Sequence, residues 1–295
     1  MTSIVIPAHN EARVIGRLLD SLLADSRGGG PYETDGDATD VDEPDIVVVC
    51  NGCTDDTARV AAERGPRVRV VEIPVPSKHS ALRTGDDHAR GFPRVYVDAD
   101  VVLSDADVRT LTAPLHDETS GVLATAPARR IPLAACAWRV RAYYQVWQRL
   151  PAVREGLFGR GVIAVSKTGY ERLAALPPLM ADDLAASMAF APGERLVVEA
   201  AGVVIQPPRT WRDLIKRRVR AAVSTAQVEQ QQAGQQGAPR TSKADLKDLL
   251  RREPRLLAAV VVFVAAAVAA RRRAEKAIRE RDFGTWLRDE SSRQN

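Results

Sequence analysis

Val95-Tyr96-Val97-Asp98-Ala99-Asp100-Val101 is the stretch that decides the fold of this chain. Its β-branched residues predict a half-buried strand that ends in two carboxylates. Asp98 and Asp100 are two residues apart, so on an extended backbone their side chains point to the same side. Two hard oxygen ligands at a strand end suit Mg²⁺ or Mn²⁺ carrying a phosphate-bearing substrate. The pattern therefore predicts a divalent metal site where this strand ends.

A second interpretation of Asp98 and Asp100 is that they cap the helix that follows. Ser104 and Asp107 already have the Ser-x-x-Asp spacing of a capping box, directly before the apolar repeat of residues 108–115. Because that pair supplies the cap, a structural role explains the two earlier carboxylates less well. An Asp-x-Asp pair alone is a weak signal, and the rest of the chain has to support it.

The composition is that of a globular protein. The chain has 295 residues, 45% hydrophobic and 27% charged, enough for one large domain and an appendage. Its net charge of +4 is uneven, with acids before residue 60 and a basic segment over 209–281. That segment favours anionic lipid or phosphate partners, and it lacks the interleaved aromatics expected for nucleic acid. Three cysteines and an N-terminus without a signal-peptide pattern predict a reducing, cytoplasmic location.

The first half of the chain alternates strand and helix patterns. Strands are predicted over residues 3–6, 46–50 and 68–73, and the apolar spacing that starts at Val14 predicts an amphipathic helix. This order predicts an α/β sandwich with a largely parallel sheet, in which ligands gather at the carboxyl ends of the strands. The Gly-x-Gly-x-x-Gly cradle of dinucleotide-binding folds does not follow the first strand. Residues 27–45 are acidic and glycine-containing, and they predict a flexible loop.

Two further features lie beside the predicted strand ends. Cys50-Asn51-Gly52-Cys53 has the spacing of a redox or metal site, but a zinc site needs two more ligands, and small residues in a tight turn explain the pattern better. Lys78 lies in the first turn of a predicted helix, where a cation opposes the helix dipole. The lysine is therefore predicted to face a phosphate or a carboxylate, with a solvated side chain as the alternative.

Four segments, in this order, resemble the family 2 glycosyltransferases with the GT-A fold. They are Ile4-Val5-Ile6-Pro7-Ala8-His9-Asn10-Glu11, Val49-Cys50-Asn51-Gly52-Cys53-Thr54-Asp55-Asp56-Thr57, Lys78-His79-Ser80-Ala81-Leu82-Arg83-Thr84-Gly85 and Asp98-Ala99-Asp100. Each segment is weak alone, but the ordered set is specific. The resemblance implies a three-layer GT-A catalytic domain over residues 1–230, in a hexosyltransferase of the type that builds actinobacterial cell-envelope polysaccharide.

The resemblance also implies a nucleotide-sugar site. Its residues would be Pro7, Ala8, His9, Glu11, Asn51, Lys78, Asp98, Ala99, Asp100, Arg218 and Arg220. Asp100 and Asp98 would be the ligands of Mg²⁺ or Mn²⁺ on the donor diphosphate, and Asp98 would face the ribose. Asn51 stands where the family usually has an acid that recognises the base, which leaves the base open. A cation and basic side chains would stabilise the charge that develops on the diphosphate leaving group.

The acceptor side is implied by the second half of the chain. Residues 156–161, with three glycines, predict a flexible loop before a strand over Val162–Val165. Asp182 and Asp183 begin another predicted helix. The resemblance assigns the general base on the acceptor hydroxyl to Asp183, with Asp182 as its partner or replacement. N-capping is the alternative role of these acids, because a helix start favours negative charge.

A long helix predicted to begin after Thr210 carries a basic segment. Arg218 and Arg220 keep the cationic positions of the family's Gln-Arg-x-x-Trp segment, whereas Ala221 replaces its tryptophan. Arginines suit bidentate phosphate contact. An exposed basic helix face is the alternative interpretation.

The C-terminal part predicts a linker and a helical extension. Residues 231–241 read as a polar linker or lid, and residues 242–295 as a basic and apolar extension. Residues 256–270 are all apolar, and as a helix they span roughly 22 Å, short of the roughly 30 Å hydrocarbon core. Arginines flank them on both sides, which disfavours a defined membrane span. Peripheral contact through residues 256–273 with the inner face of the cell membrane, and an internal core helix, both stay open.

The expected activity is a metal-dependent, inverting transfer of a sugar from a nucleotide-sugar donor to a hydroxyl acceptor, with inversion implied by the resemblance alone. The basic, apolar extension favours a glycan or lipid-linked acceptor of the cell envelope. Nucleotidyl transfer is one alternative, since it shares the sheet and the metal, but its glycine-rich phosphate loop is missing near the N-terminus. A non-catalytic protein that binds a membrane or partners is the other alternative.

Overall fold

The structure is a computed structural model that describes residues 1–24, 43–176, 182–231 and 241–279. It divides into two compact units. In their described parts, the first comprises residues 1–130, 159–178 and 189–205, and the second comprises residues 131–158, 179–188 and 206–295. Most of the predicted loop 27–45 and of the predicted linker 231–241 lies outside the described residues. The predicted domain boundaries rest on the sequence pattern and stay a prediction.

One mixed sheet of eight described strands lies in the first unit. The strands are β1 (Ser3–Ala8), β2 (Asp45–Asn51), β3 (Val68–Ile73), β4 (Arg94–Val97), β5 (Val101–Val102), β6 (Ala124–Arg130), β7 (Val162–Val165) and β8 (Arg195–Ile205). Their order is β3-β2-β1-β4-β7-β6-β8-β5. The strands β3, β2, β1 and β4 are parallel, as predicted, whereas β7 runs antiparallel to both β4 and β6.

Helices cover both faces of the parallel half of the sheet. The described helices of the chain are α1 (Ile15–Ala24), α2 (Thr57–Ala62), α3 (Lys78–His88), α4 (Asp105–His116), α5 (Trp138–Trp147), α6 (Pro151–Glu155), α7 (Lys167–Ala174), α8 (Asp182–Met188), α9 (Trp211–Gln231), α10 (Lys243–Arg252) and α11 (Leu257–Arg279). Alternate residues of β2 pack on opposite sides, with Ile46 and Val48 in the core that contains α1, and Val47 and Val49 against Ala81 of α3. The predicted α/β sandwich is thereby confirmed.

The strand that opens the sequence is shorter than its pattern predicts. β4 ends at Val97, and a turn follows in which the Val101 amide donates to the Asp98 carbonyl oxygen (3.3 Å). The prediction of an extended backbone through Asp98 and Asp100 is therefore wrong. After the turn, β5 pairs with β8 at the far end of the strand order, so the sheet curls. The predicted capping box of Ser104 and Asp107 is present at the start of α4.

The second unit has its own core, built mainly by α5, α9 and α11. The Tyr143 ring of α5 stacks on Phe263 of α11, with 5.1 Å between the ring centroids. Arg149, just after α5, pairs with Glu253, just before α11, at 2.7 Å. Because these contacts join the end of one helix to the start of the other, α11 runs antiparallel to α5. The apolar residues 256–270 are thus largely helical, as predicted.

Candidate active site

The carboxyl ends of β1 and β2 are joined by polar contacts. Because these strands are parallel neighbours, Ala8 and Asn51 lie side by side at one edge of the sheet. The Asn51 amide donates to the Ala8 carbonyl oxygen at 2.8 Å, and only 4% of the residue is exposed. His9 Nδ1 donates to the Asn51 carbonyl oxygen at 2.6 Å. The structure therefore uses Asn51 to tie two strand ends together, and its role toward a base stays a prediction.

The loop after β1 is attached to the loop after β2. Asn10 has a positive φ of 54°, and its side-chain oxygen accepts from the Thr54 amide at 2.7 Å. The Glu11 amide donates to the Thr57 hydroxyl at 2.8 Å. An asparagine tolerates this backbone better than most residues because its short polar side chain bonds locally. The Pro7–Glu11 segment is thus held in a fixed conformation at the sheet edge.

The Cys-x-x-Cys segment forms a packed turn. Burial raises the pKa of the Cys50 thiol to about 12, so the thiol stays protonated at neutral pH and is a poor nucleophile or metal ligand. Cys53 Sγ lies 3.4 Å from the Ala8 carbonyl oxygen, to which it donates. Gly52 has a φ of 56°, and a Cβ there would lie 2.7 Å from the backbone nitrogen of Pro76. These contacts favour the tight-turn interpretation of the segment.

Lys78 and Asp98 meet at the same edge. Lys78 is the first residue of α3, and Ser77 caps that helix by accepting from the Ser80 amide. The Lys78 ammonium lies 2.9 Å from Asp98 Oδ1, with about two-fifths of each side chain exposed (42% and 40%). The prediction that Lys78 faces a carboxylate or a phosphate is met by the carboxylate.

A buried polar cluster fixes α3 against β4. Asp86 of α3 accepts from the Arg94 guanidinium at 2.7 Å and from the Tyr96 hydroxyl at 2.9 Å. Burial raises the pKa of the Asp86 carboxyl in spite of these bonds. Since α3 carries Lys78 and β4 leads into Asp98, the cluster sets where the two charges meet. The sequence signal for this cluster is an arginine at the start of a buried strand.

The turn after β4 presents the two predicted metal ligands. Ala99 is buried, whereas Asp98 and Asp100 are partly exposed. The Asp98 amide donates to the Gly161 carbonyl oxygen at 2.7 Å. Gly161 has a φ of 65°, and a Cβ there would lie 2.6 Å from Val101 Cγ1 and 3.3 Å from Asp98 Oδ2. The glycine therefore lets the loop before β7 lie directly against the Asp98 turn.

The end of the predicted flexible loop 156–161 is firmly packed. Arg160 is buried, and its guanidinium donates to the Pro127 carbonyl oxygen at 2.7 Å. Arg129 Nε donates to the Gly159 carbonyl oxygen at 3.1 Å. Burial lowers the pKa of Arg160 to about 10, so the side chain stays charged at neutral pH. Because of these bonds, the prediction that residues 159–161 are flexible is wrong.

The two aspartates suit a cation that arrives with a phosphate-bearing substrate. In the part of the chain that the structure describes, no group of three or more His, Cys, Asp or Glu side chains forms a metal cage. Mg²⁺ in phosphate-transfer sites is commonly held by one or two carboxylates together with the substrate phosphates. Asp98 and Asp100 fit that pattern, because both carry oxygen ligands and both reach solvent.

The other predicted site residues belong to the second unit. Asp182 and Asp183 begin α8, as predicted, and their side chains lie outside the described residues. Arg218 of α9 lies over the Tyr143 ring, with 6.0 Å from its guanidinium carbon to the ring centroid, and Arg220 is exposed. Each of these residues is placed on the helix that the sequence predicts for it.

A curled, mixed sheet with helices on both faces, and with an Asp-x-Asp turn at the end of its central parallel strand, defines the GT-A class of fold. The chain belongs to glycosyl transferase family 2, whose family model matches residues 3–167. It is therefore a glycosyltransferase. A comparison with curated protein sequences found no match.

Solved structures show the same fold at low identity. The mannosyltransferase PcManGT from Pyrobaculum calidifontis, in complex with GDP-Man and Mn²⁺, is 23% identical with a TM-score of 0.56, covering 99% of this chain and 84% of that chain. Glucosyl-3-phosphoglycerate synthase from Mycobacterium tuberculosis, in complex with Mn²⁺, UDP-Glc and glycerol 3-phosphate, is 23% identical with a TM-score of 0.52, covering 78% and 79%. The same synthase with phosphoglyceric acid is 22% identical, with a TM-score of 0.52 and the same coverage.

Proposed function

We propose that the protein is a metal-dependent, inverting glycosyltransferase that moves a sugar from a nucleotide-sugar to a hydroxyl group of a cell-envelope glycan or lipid-linked acceptor. The observation that carries the proposal is the carboxyl edge of the sheet. There the fixed Pro7–Glu11 loop, Asn51 and the Lys78–Asp98 pair lie at the ends of three neighbouring parallel strands. Ligands of open α/β sheets bind at that edge.

The donor half of the proposal assigns a role to each charged group at this edge. Lys78 binds the diphosphate, Asp98 contacts the ribose, and Asp100 holds Mg²⁺ or Mn²⁺ with Asp98 beside it. The cation supplies charge stabilisation for the leaving diphosphate. Two similar structures, the mannosyltransferase with GDP-Man and the synthase with UDP-Glc, hold Mn²⁺ with a nucleotide-sugar, which supports this assignment.

The acceptor half of the proposal rests on the resemblance to the family. Asp183 takes the proton of the acceptor hydroxyl. The acceptor oxygen attacks the anomeric carbon from the face opposite the diphosphate, which leaves. A single displacement of this kind inverts the anomeric configuration. Arg218 and Arg220 add positive charge for the diphosphate. A base in reach of the hydroxyl contributes about 10²–10⁴-fold to the rate, so Asp183→Asn should lose turnover by that factor and keep donor binding.

A thermal-shift panel tests the donor site. Nucleoside diphosphates and nucleotide-sugars are added with and without Mn²⁺ to the wild type, to Asp100→Ala, and to Asp87→Ala, a matched control at an exposed position of α3. A ligand at about 100 times its dissociation constant adds about 2.7 kcal/mol, an easily measured shift. We expect one nucleotide to stabilise the wild type and the control only with metal, and not to stabilise Asp100→Ala.

Product analysis then separates the proposed reaction from its rival. Turnover of the donor that binds should release the nucleoside diphosphate and give a product of inverted anomeric configuration by NMR. Release of pyrophosphate would point to nucleotidyl transfer instead. Retention of configuration would refute the single displacement, and full metal-dependent activity of Asp100→Ala would refute the metal assignment.

A further inference from the structure

One face of α11 is exposed and entirely apolar. Four large side chains recur at spacings of four, three and four residues, so they form one stripe along the helix. They are Leu257 (60% exposed), Val261 (62%), Val264 (41%) and Val268 (45%). Ala258, Ala265 and Ala267 are exposed beside them, and residues 257–268 include no polar side chain. We call this surface, residues 257–268 on their exposed side, the apolar face.

The opposite side of the same helix belongs to the core of the second unit. Its buried residues are Ala259, Val260, Phe263, Ala266, Ala270 and Ala274. Since these residues supply the contacts that hold α11 in place, the apolar face is not needed for packing within the described residues. Leaving such side chains in water is unfavourable. A contiguous apolar surface of this kind marks a docking site.

Exposed arginines lie at both ends of the apolar face. Arg251, Arg252 and Arg255 precede it, and the run 271–273 follows it, all exposed. Some of these arginines have acidic neighbours, such as Glu275 beside Arg271, but exposed ion pairs of this kind contribute little and leave the guanidinium groups accessible. On α10, Lys247 and Lys243 are exposed one and two turns before Arg251, respectively, and extend the basic surface. The surface is therefore apolar in the middle and cationic at the ends.

We propose that this surface binds the anionic face of a lipid bilayer, with the apolar face entering the headgroup and acyl boundary and the arginines contacting lipid phosphates. An apolar stripe of about 18 Å with cationic ends is the pattern of helices that lie in the plane of a membrane. Anionic lipid complements the flanking charge, whereas a second copy would set arginine clusters against arginine clusters in either orientation. The proposal goes beyond sugar transfer and does not depend on it.

A membrane span fits the structure less well than a helix lying on the surface. Residues Pro254–Lys276 are long and apolar enough to cross a membrane by length and composition, but a third of that segment is buried in the protein. The helices packed on its buried side carry charges, including Arg141 of α5 and Lys216 of α9. A span would place these charges at membrane depth, which costs several kcal/mol each. A helix on the surface keeps them in water.

Vesicle cosedimentation of the full chain tests the proposal. Vesicles are made of phosphatidylcholine alone or of phosphatidylcholine with phosphatidylglycerol, at low and high salt. The variants are Val261→Asp/Val264→Asp in the apolar face, R271Q/R272Q/R273Q at its end, and Val75→Asp, a matched control in an exposed loop of the first unit, with the valine 58% exposed. Circular dichroism checks that each variant is folded, so that loss of binding is not loss of structure.

We expect binding only to the vesicles with phosphatidylglycerol, and weaker binding at high salt. The double aspartate variant should lose at least about tenfold in affinity, the arginine variant roughly fivefold per arginine removed, and Val75→Asp nothing. Equal binding to neutral vesicles, or unchanged binding of the double variant, would overturn the proposal. If the wild type forms a dimer and the double variant does not, a second copy of the chain covers the apolar face. If only detergent extracts the wild-type protein from membranes, α11 spans the bilayer. Both outcomes also overturn it.

Discussion

Replacing Gly161 by alanine tests whether the loop before β7 positions the Asp98 turn. Two costs follow from the geometry. A non-glycine residue at a φ of 65° costs about 1–2 kcal/mol. The new Cβ would also lie 2.6 Å from Val101 Cγ1 and 3.3 Å from Asp98 Oδ2. Overpacking of this kind costs about 1–3 kcal/mol. The expected loss of unfolding free energy is therefore about 2–5 kcal/mol.

Gly121 offers a matched control for the backbone cost. Its φ is 68°, and a Cβ there would meet no atom within 4 Å. Gly121→Ala should therefore lose only the backbone cost of about 1–2 kcal/mol. The difference between the two variants isolates the crowding against Val101 and Asp98. Urea unfolding of both variants measures it.

The functional consequence is specific to Gly161→Ala. If the structure relieves the crowding by moving Asp98, binding of a nucleoside diphosphate with Mn²⁺ weakens by about tenfold for each 1.4 kcal/mol of lost contact. Isothermal titration calorimetry measures the dissociation constant for both variants and for the wild type. The reasoning would be refuted if Gly161→Ala and Gly121→Ala lost the same unfolding free energy and bound the nucleotide equally well.

Three further outcomes are expected. Lys78→Gln should change the unfolding free energy by less than about 1 kcal/mol, because the pair of Lys78 with Asp98 is partly exposed. The same variant should bind a nucleoside diphosphate about tenfold or more weakly in calorimetry. A large loss of stability with unchanged affinity would contradict this expectation. Burial raises the pKa of the Asp45 carboxyl, but its hydrogen bonds, with Arg69 the main donor, outweigh burial and hold the pKa below the usual value. The ionised carboxylate therefore stabilises the fold above about pH 4, and this stabilisation is lost as the pH falls through the lowered pKa. In Asp45→Asn, the unfolding free energy measured with urea should fall less between neutral and acid pH than in the wild type. An equal fall would disprove the assignment of this pH dependence to Asp45. Tyr143→Phe removes a buried hydroxyl that has no hydrogen-bond partner among the described residues, so stability should stay equal or rise by about 1 kcal/mol; a clear loss would reveal a partner.

Local patterns predicted the parallel half of the sheet well, for a physical reason. Strands β2 and β3 of that half, like the antiparallel β7, are rich in valine and isoleucine and bounded by turn residues, so propensity and burial agree. The turn after Val97 was missed because Asp98 and Asp100 sit between valines, and the pattern does not distinguish a continuing strand from a turn. β6 was missed because Ala124–Arg130 contains alanine and proline, and its place in the sheet depends on pairing with distant strands.

The contacts that shape the site come from residues far apart in the chain. Gly161 lies against Asp98, 63 residues earlier in the sequence, and its requirement for glycine follows from that approach and from its positive φ. Likewise, the core of the second unit joins α5 to α9 and α11, which lie more than 60 residues later in the sequence. Periodicity reports which face of an element is apolar but not which element covers it. The buried face of an element was therefore easier to predict than the element that covers it.

The charge at Lys78 shows why stability does not account for the sheet edge. An ammonium in the first turn of a helix opposes the dipole at a cost of about 0.3–1 kcal/mol. Its pair with Asp98 is two-fifths exposed on both sides, and such pairs return about 0–1 kcal/mol. The two contributions cancel, so the pair with Asp98 does not by itself explain a lysine at this position. The buried Asp86–Arg94 pair holds Lys78 and Asp98 opposite each other, and in the proposed donor site each charge has a further partner: the diphosphate for the ammonium, and the ribose and cation for the carboxylate.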